Sequence, residues 1–191
     1  MKSKIQFRSF YTSSGKFVVA GKNAKQNEEV VKQAKKGELV LHTSAPGSPF
    51  CVIKGKDLSK EDVKEAAIFC ACFSKAWKQG KERAEVHVFK AEDIYKNKGM
   101  KEGTFGVKKI AKRLRVSLKL GVMLRNDKFV VAPVWDVERK LFFGLHPGKL
   151  EKERTAEYIT STLKKFKINI SKERIMQLIP AGGFRLVNYT K

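Results

Sequence analysis

Ser59-Lys60-Glu61-Asp62-Val63-Lys64-Glu65-Ala66-Ala67-Ile68-Phe69-Cys70-Ala71-Cys72-Phe73 is the stretch on which the fold turns. Ser59 with Asp62 three residues on has the spacing of a capping box, in which a hydroxyl and a carboxylate satisfy backbone N–H groups at a helix start. From Ala66 to Phe73 every residue is apolar. A helix with one apolar stripe covers a core, whereas one apolar around most of its girth is enclosed by a core. The stretch therefore predicts a central buried helix running on to Trp77 and ended by Gly80. Something must surround it.

Short strand patterns lie on both sides. Ile5–Phe10 and Phe17–Gly21 read as strands joined by the turn Ser13-Ser14-Gly15. Asn23 occupies a helix N-cap position with Gln26 three residues on, opening a helix that carries Val30 and Val31 and stops near Gly37. Leu39–His42 and Phe50–Ile53 are short strands around Pro46-Gly47-Ser48, and Glu85–Phe89 is another. Leu114, Val116, Leu118 and Leu120 alternate with Arg115, Ser117 and Lys119, which predicts one half-buried strand with a cationic outer face. Asn126-Asp127 marks a hairpin into Phe129–Val134, with Leu141–Leu145 pairing next. His146-Pro147-Gly148 is expected to start a helix from about Leu150 to Phe166. Ser171 caps a last helix up to Pro180, and Phe184–Tyr189 forms the final strand.

Strands and helices do not alternate as βαβ units. The expected class is α+β, a mainly antiparallel sheet packed on a buried central helix, with a C-terminal β-hairpin and helix extension. The expected division is 1–127 for a first domain and 128–191 for the extension packed on it.

Charge narrows the partner. Lys and Arg total 41 against 19 Asp and Glu, a formal net charge of +22 on 191 residues, with 42% hydrophobic residues to supply a core. Self-repulsion at that charge opposes compaction, so a polyanion is the natural partner. Lys96, Lys98 and Lys101 lie in a loop with Gly99 and Gly103, and Lys108, Lys109, Lys112, Arg113, Arg115 and Lys119 follow with little intervening acid. Each phosphate that such a patch neutralises releases condensed counterion, giving salt-dependent, sequence-tolerant affinity. Phe105, among these lysines, is either a stacking platform for an unpaired base or a core residue.

Cys51, Cys70 and Cys72 form no even disulfide framework and no CxxC pair. Cys70 and Cys72 point to different sides of a helix and cannot chelate together, so core thiols in a reducing compartment are expected, with no metal and no cofactor. No apolar run approaches the length that crosses a bilayer, and the N-terminus carries no signal-peptide pattern, so a cytoplasmic, membrane-free protein is expected.

Four segments carry a resemblance. Gly21-Lys22-Asn23-Ala24-Lys25-Gln26-Asn27-Glu28 resembles the G-[RK]-[ND]-A-x-Q-N-E signature of the NFACT-R domain. Leu41-His42, Pro46-Gly47-Ser48 and Val52-Ile53-Lys54 resemble its second signature, with Pro49 in place of the usual His or Thr. Glu65-Ala66-Ala67 to Phe73-Ser74-Lys75-Ala76-Trp77 is similar to the EAA…YSKAW segment, and Tyr95–Gly99 with Gly103-Thr104-Phe105 to the basic glycine loop. Beyond Gly121 the chain more loosely resembles the archaeal C-terminal extension.

The resemblance implies an RNA-binding member of the ribosome-associated quality-control proteins, meeting tRNA or large-subunit rRNA and the ribosome. A partner chain would carry the other NFACT modules, and no catalysis is expected of this chain. Alternatives are an adaptor that presents tRNA to a separate modifying enzyme, a DNA-binding protein, and a hydrolase built on His42 and Cys51. Oligomeric state is not legible.

Within the motifs, Asn23, Gln26 and Asn27 either present amides to a base or ribose, or cap the helix and brace the neighbouring turn. His42 is a phosphate contact, a general base or a hydrogen-bonded structural group. Gly47 allows close backbone approach, and Ser48 can donate to a phosphate. Lys54 and Lys75 are carried over from the matching family positions.

Overall fold

A computed structural model of the chain describes residues 7–134 and 141–190. The start of the first predicted strand, at Ile5, lies outside the described residues. Among these residues the elements run β1 (Arg8–Tyr11), β2 (Phe17–Ala20), α1 (Ala24–Lys32), β3 (Leu39–Thr43), β4 (Cys51–Ile53), α2 (Lys60–Cys72), α3 (Lys75–Lys78), β5 (Arg83–Lys90), β6 (Ile94–Tyr95), β7 (Gly106–Val107) and β8 (Lys112–Ser117). Then follow β9 (Leu120–Arg125), β10 (Lys128–Pro133), β11 (Leu141–Leu150), α4 (Lys152–Lys165), α5 (Lys172–Leu178) and β12 (Phe184–Asn188). One sheet has the order β1-β2-β4-β3-β5-β8 and a second β10-β9-β11-β12; β6 and β7 form a small ribbon. Every pairing is antiparallel. The class is α+β, as the patterning predicted.

Helix α2 is buried from Val63 to Cys72 apart from Lys64. It packs on β3, β4, β5 and β8 on one side and meets β10 on another. Its capping box is formed: Asp62 N–H donates to Ser59 Oγ at 3.0 Å and Ser59 N–H to Asp62 Oδ2 at 2.9 Å. Asp62 also accepts from the hydroxyls of Thr12 and Ser14, and Glu65 accepts from the backbone and hydroxyl of Ser13. Two carboxylates thus strap the β1–β2 turn to the central helix. Burial opposes the charge on Asp62, but the hydrogen bonds from Ser14, Thr12 and Ser59 outweigh it and hold its pKa down to about 2.

The middle of the large sheet carries a core on each face. Val18, Leu41, Cys51, Ile53, Val86 and Val116 share the main core with α2, while Val19, Val40 and Val52 form a smaller core with Val30 of α1. The three thiols are buried.

Several elements depart from the sequence expectation. The central helix breaks at Phe73, and Ser74 caps the separate α3 through Ala76 N–H. Helix α1 ends at Lys32, and tight turns fill the span to Gly37. The alternating run Leu114–Leu120 is two strands rather than one: β8 ends at Ser117 in the large sheet, and β9 begins at Leu120 in the second. Val116, Leu118 and Leu120 all remain buried because both sheets line one core, so the side-chain rhythm survives a change of backbone partner. Leu141 onward pairs as a strand, as expected, and its partner is β9. His146-Pro147-Gly148 belongs to β11, with a register irregularity between Pro147 and Leu150, and starts no helix. Asn126 and Asp127, at φ of 51° and 56°, form the expected hairpin turn. The division expected at residue 127 falls on this turn.

The C-terminal elements are fastened to the large-sheet half by Trp77. Its indole N–H donates to the Gly183 carbonyl at 3.0 Å, and its ring packs on Phe184 at 5.4 Å between centroids.

Candidate nucleic-acid interface

The four motif segments, far apart in sequence, converge on one cleft of about 630 Å³. The start of α1 supplies Asn23, Ala24 and Asn27; the β3–β4 connection supplies His42, Gly47, Ser48 and Phe50. The α2–α3 corner supplies Phe73, Ser74, Lys75 and Lys78, and the glycine loop supplies Gly103 to Phe105.

Local chemistry fixes each wall. Asn23 Oδ1 accepts from Gln26 N–H at 2.9 Å, and Gln26 Oε1 accepts from Lys22 N–H at 3.0 Å, which makes a reciprocal cap. Gln26 is spent on the cap and does not line the cleft. Asn27 Oδ1 accepts from Phe50 N–H at 3.0 Å, tying α1 to the strand behind Pro46–Ser48. Gly47 sits at φ +93°, and a Cβ there would lie 2.6 Å from Lys75 Cδ, so the glycine lets Lys75 lie across the turn. Ser48 Oγ accepts from Thr43 N–H and donates to the Pro49 carbonyl, an engagement inside the turn.

His42 is half-buried against Phe50, with ring centroids 4.5 Å apart, and its Nδ1 is 2.7 Å from the Thr43 carbonyl. Burial lowers its pKa, with His87 adding to the effect and the Thr43 carbonyl opposing it. Cys51 pairs with Leu41 on the opposite, α2-facing side of the sheet, and burial pushes its thiol well above the ordinary value. A Cys51–His42 nucleophile pair is thereby excluded by geometry. Among the described residues no group of three or more His, Cys, Asp or Glu is placed to hold a metal.

The basic residues divide into two sets. Lys96 is pinned: its ammonium meets Glu28 Oε1 at 2.5 Å and the carbonyls of Lys101 and Thr104, and lies 5.2 Å above the Phe105 ring. Lys96 and the Gly103 N–H together hold the Glu28 carboxyl down to about 2. Gly103, at φ +75°, packs against Ala24 and lets the loop close onto α1. Lys54 is likewise engaged, with Glu38 at 3.1 Å and the Gln33 carbonyl at 2.9 Å, away from the cleft. Phe105 is half-buried, edge-on to Phe50 at 5.1 Å, and still lines the cleft. It is wall and core at once.

Lys98, Lys101, Lys108, Lys109, Lys112, Arg113 and Arg115 are exposed, and none makes an ion pair among the described residues. Lys119 is half-buried at the crossover between the sheets. Strand β8 is the edge of the large sheet, and its Arg113 stands opposite His87, which stands opposite His42. One face of the sheet therefore carries a continuous row from the cationic edge to the cleft.

Sequence reasoning missed Arg8, Lys22, Lys78 and Arg174, and read Phe73 as core. Arg8 lies over the Phe73 ring at 4.8 Å and donates to the Gly21 carbonyl. Lys22 stood inside the first motif, which was the available signal; Arg8 and Arg174 carried none, because only tertiary folding brings them near.

The sequence profile described as "NFACT protein RNA binding domain" matches residues 6–109. The chain is 29% identical over 208 residues to the archaeal Rqc2 homolog aRqcH of Methanocaldococcus jannaschii, which covers 98% of this chain and 31% of that protein. It is 36% identical over 112 residues to the Rqc2 homolog RqcH of Streptococcus suis, 58% of this chain and 20% of that one. The match to the ribosome quality control complex subunit NEMF of Mus musculus is 30% over 76 residues, 38% of this chain and 7% of that one. The chain thus spans less than a third of the length of these relatives. Among solved structures, the C-terminal region of the fibronectin/fibrinogen-binding protein from Streptococcus suis superposes with a TM-score of 0.52 at 32% identity, covering 60% of this chain and 48% of that one. With its four motif segments gathered at one cleft and more than half its length matched, the chain belongs to the family of NFACT protein RNA-binding domains.

Proposed function

We propose that the chain binds RNA along the face running from the β8 edge to the cleft, and serves ribosome-associated quality control by contacting tRNA or large-subunit rRNA. The observation that carries this is the row Arg113–His87–His42, which joins a free cationic edge to the converged motifs. Free lysines and arginines neutralise phosphates, and a flat cationic sheet face tracks a backbone without reading sequence. The mammalian relative, named as a ribosome quality control complex subunit, supplies the quality-control setting. A partner chain carrying other NFACT modules belongs to the proposal. In this reading the chain performs no chemistry of its own, and the burial of Cys51 on the far side of the sheet from His42 supports it.

The test is crosslinking in native extract, then sequencing of RNA recovered with wild type and with Lys98, Lys101, Lys109 and Arg113 changed to Glu. Recovery of tRNA or large-subunit rRNA by wild type, lost in the variant, is expected. Equal recovery by both, or recovery of DNA instead, refutes the proposal.

A further inference from the structure

The cleft differs from the β8 edge in shape as well as in charge. Its volume, about 630 Å³, falls within the roughly 300–1,000 Å³ of cavities that enclose small organic groups. Phe50, Phe73 and Phe105 line it, and no Asp or Glu among the described residues does. Its rim carries Arg8, Lys22, Lys75 and Lys78, none of which forms an ion pair among the described residues.

Beside the cleft, and sharing Arg8, Lys22 and Phe73 with it, a smaller cavity of about 80 Å³ is lined by Arg174 of α5. Burial lowers the pKa of Lys22, and Arg8 and Arg174 lower it further, so cations from three parts of the chain press on one another, and no Asp or Glu among the described residues lines the cavity they share. Ala181 adds a second contribution from the C-terminal part of the chain. The concavity therefore has an aromatic interior, a cationic mouth, and walls drawn from both halves.

A duplex presents a convex backbone with its bases locked inside, and cannot reach the interior of such a cleft. An unpaired nucleotide can turn its base inward to stack and leave its phosphate at the mouth. We infer that the cleft receives one unpaired nucleotide of the bound RNA, its base among Phe50, Phe73 and Phe105 and its phosphate among Arg8, Lys22 and Arg174. The inference rests on RNA being the ligand, and it makes the C-terminal elements part of the binding site.

The experiment compares an RNA duplex carrying one bulged 2-aminopurine with the same duplex lacking the bulge, using the whole chain. Wild type binds the bulged RNA tighter by about tenfold, the order of one base stack, and changes the 2-aminopurine fluorescence. Ser44 is exposed and lines the cleft, so Ser44→Trp fills the space without altering charge. It abolishes both the preference and the fluorescence change and leaves duplex affinity in place. The Lys22→Glu, Arg174→Glu double variant also loses the preference. Lys112→Gln with Arg113→Gln weakens both RNAs alike and keeps it.

Equal affinity of wild type for the two RNAs, or a preference that survives both cleft variants, overturns the inference and leaves the RNA-binding proposal standing. Tighter binding of free AMP than of the bulged RNA makes the cleft a mononucleotide site and also overturns it. Binding of neither RNA sinks both.

Discussion

Neutralising the β8 edge should flatten the salt dependence of RNA binding by a calculable amount. Lys109, Lys112 and Arg113 are exposed and free of carboxylate partners among the described residues, so each can release one counterion equivalent when it meets a phosphate. Each contact contributes about 0.7 to the slope of log affinity against log salt for single strands and about 0.9 for duplex. Changing all three to Gln therefore makes the slope shallower by about 2–3. Between 50 and 200 mM salt, the advantage of wild type over the variant shrinks by about 20- to 40-fold. Fluorescence anisotropy of a labelled RNA across that range measures both lines. Lys54→Gln is the internal control, because its ammonium is committed to Glu38 and the Gln33 carbonyl. Its slope stays that of wild type while its thermal midpoint falls. Parallel lines for wild type and the triple variant would show that these cations meet no phosphate, and would refute the placement of the RNA on the β8 edge.

Asn27→Ala leaves the Phe50 N–H without its side-chain acceptor and detaches α1 from the turn; a loss of about 1–3 kcal/mol is expected in urea unfolding, and an unchanged midpoint would contradict the bracing role. Acid should destabilise the fold, because Glu28 and Asp62 are both held at about 2 in the folded state, below their ordinary values of 4.5 and 3.8. Their stabilisation is complete above those ordinary values and is lost as pH falls from about 4.5 toward about 2; Asp62→Asn should flatten the unfolding profile there. The thiols of Cys51 and Cys72, buried and with pKa values pushed well up by burial, should resist a thiol reagent in the native protein and react on denaturation; fast native labelling would contradict the packing of α2.

The sequence by itself determined the things that depend on neighbours along the chain. The Ser59–Asp62 cap and the all-round apolar run predicted α2 and its burial; Asn126-Asp127 predicted a hairpin; the unbalanced lysines predicted a polyanionic partner. These signals are local, so they survive without knowledge of the fold. The four motif segments were legible too, but not their convergence, since nothing in Gly21–Glu28 says that it will face Lys75 across Gly47.

Tertiary structure alone decided which cations remain free. Lys96 and Lys101 look alike in the chain, yet Lys96 is consumed by Glu28, a residue 68 positions away, while the Lys101 side chain stays exposed. It also decided that the alternating run from Leu114 changes sheets at Lys119, because side-chain alternation records burial and not the strand that the backbone pairs with. And it alone brought Arg174 to Lys22 and Arg8, a cluster of like charges that no local rule predicts, assembled because α5 packs where the core requires it.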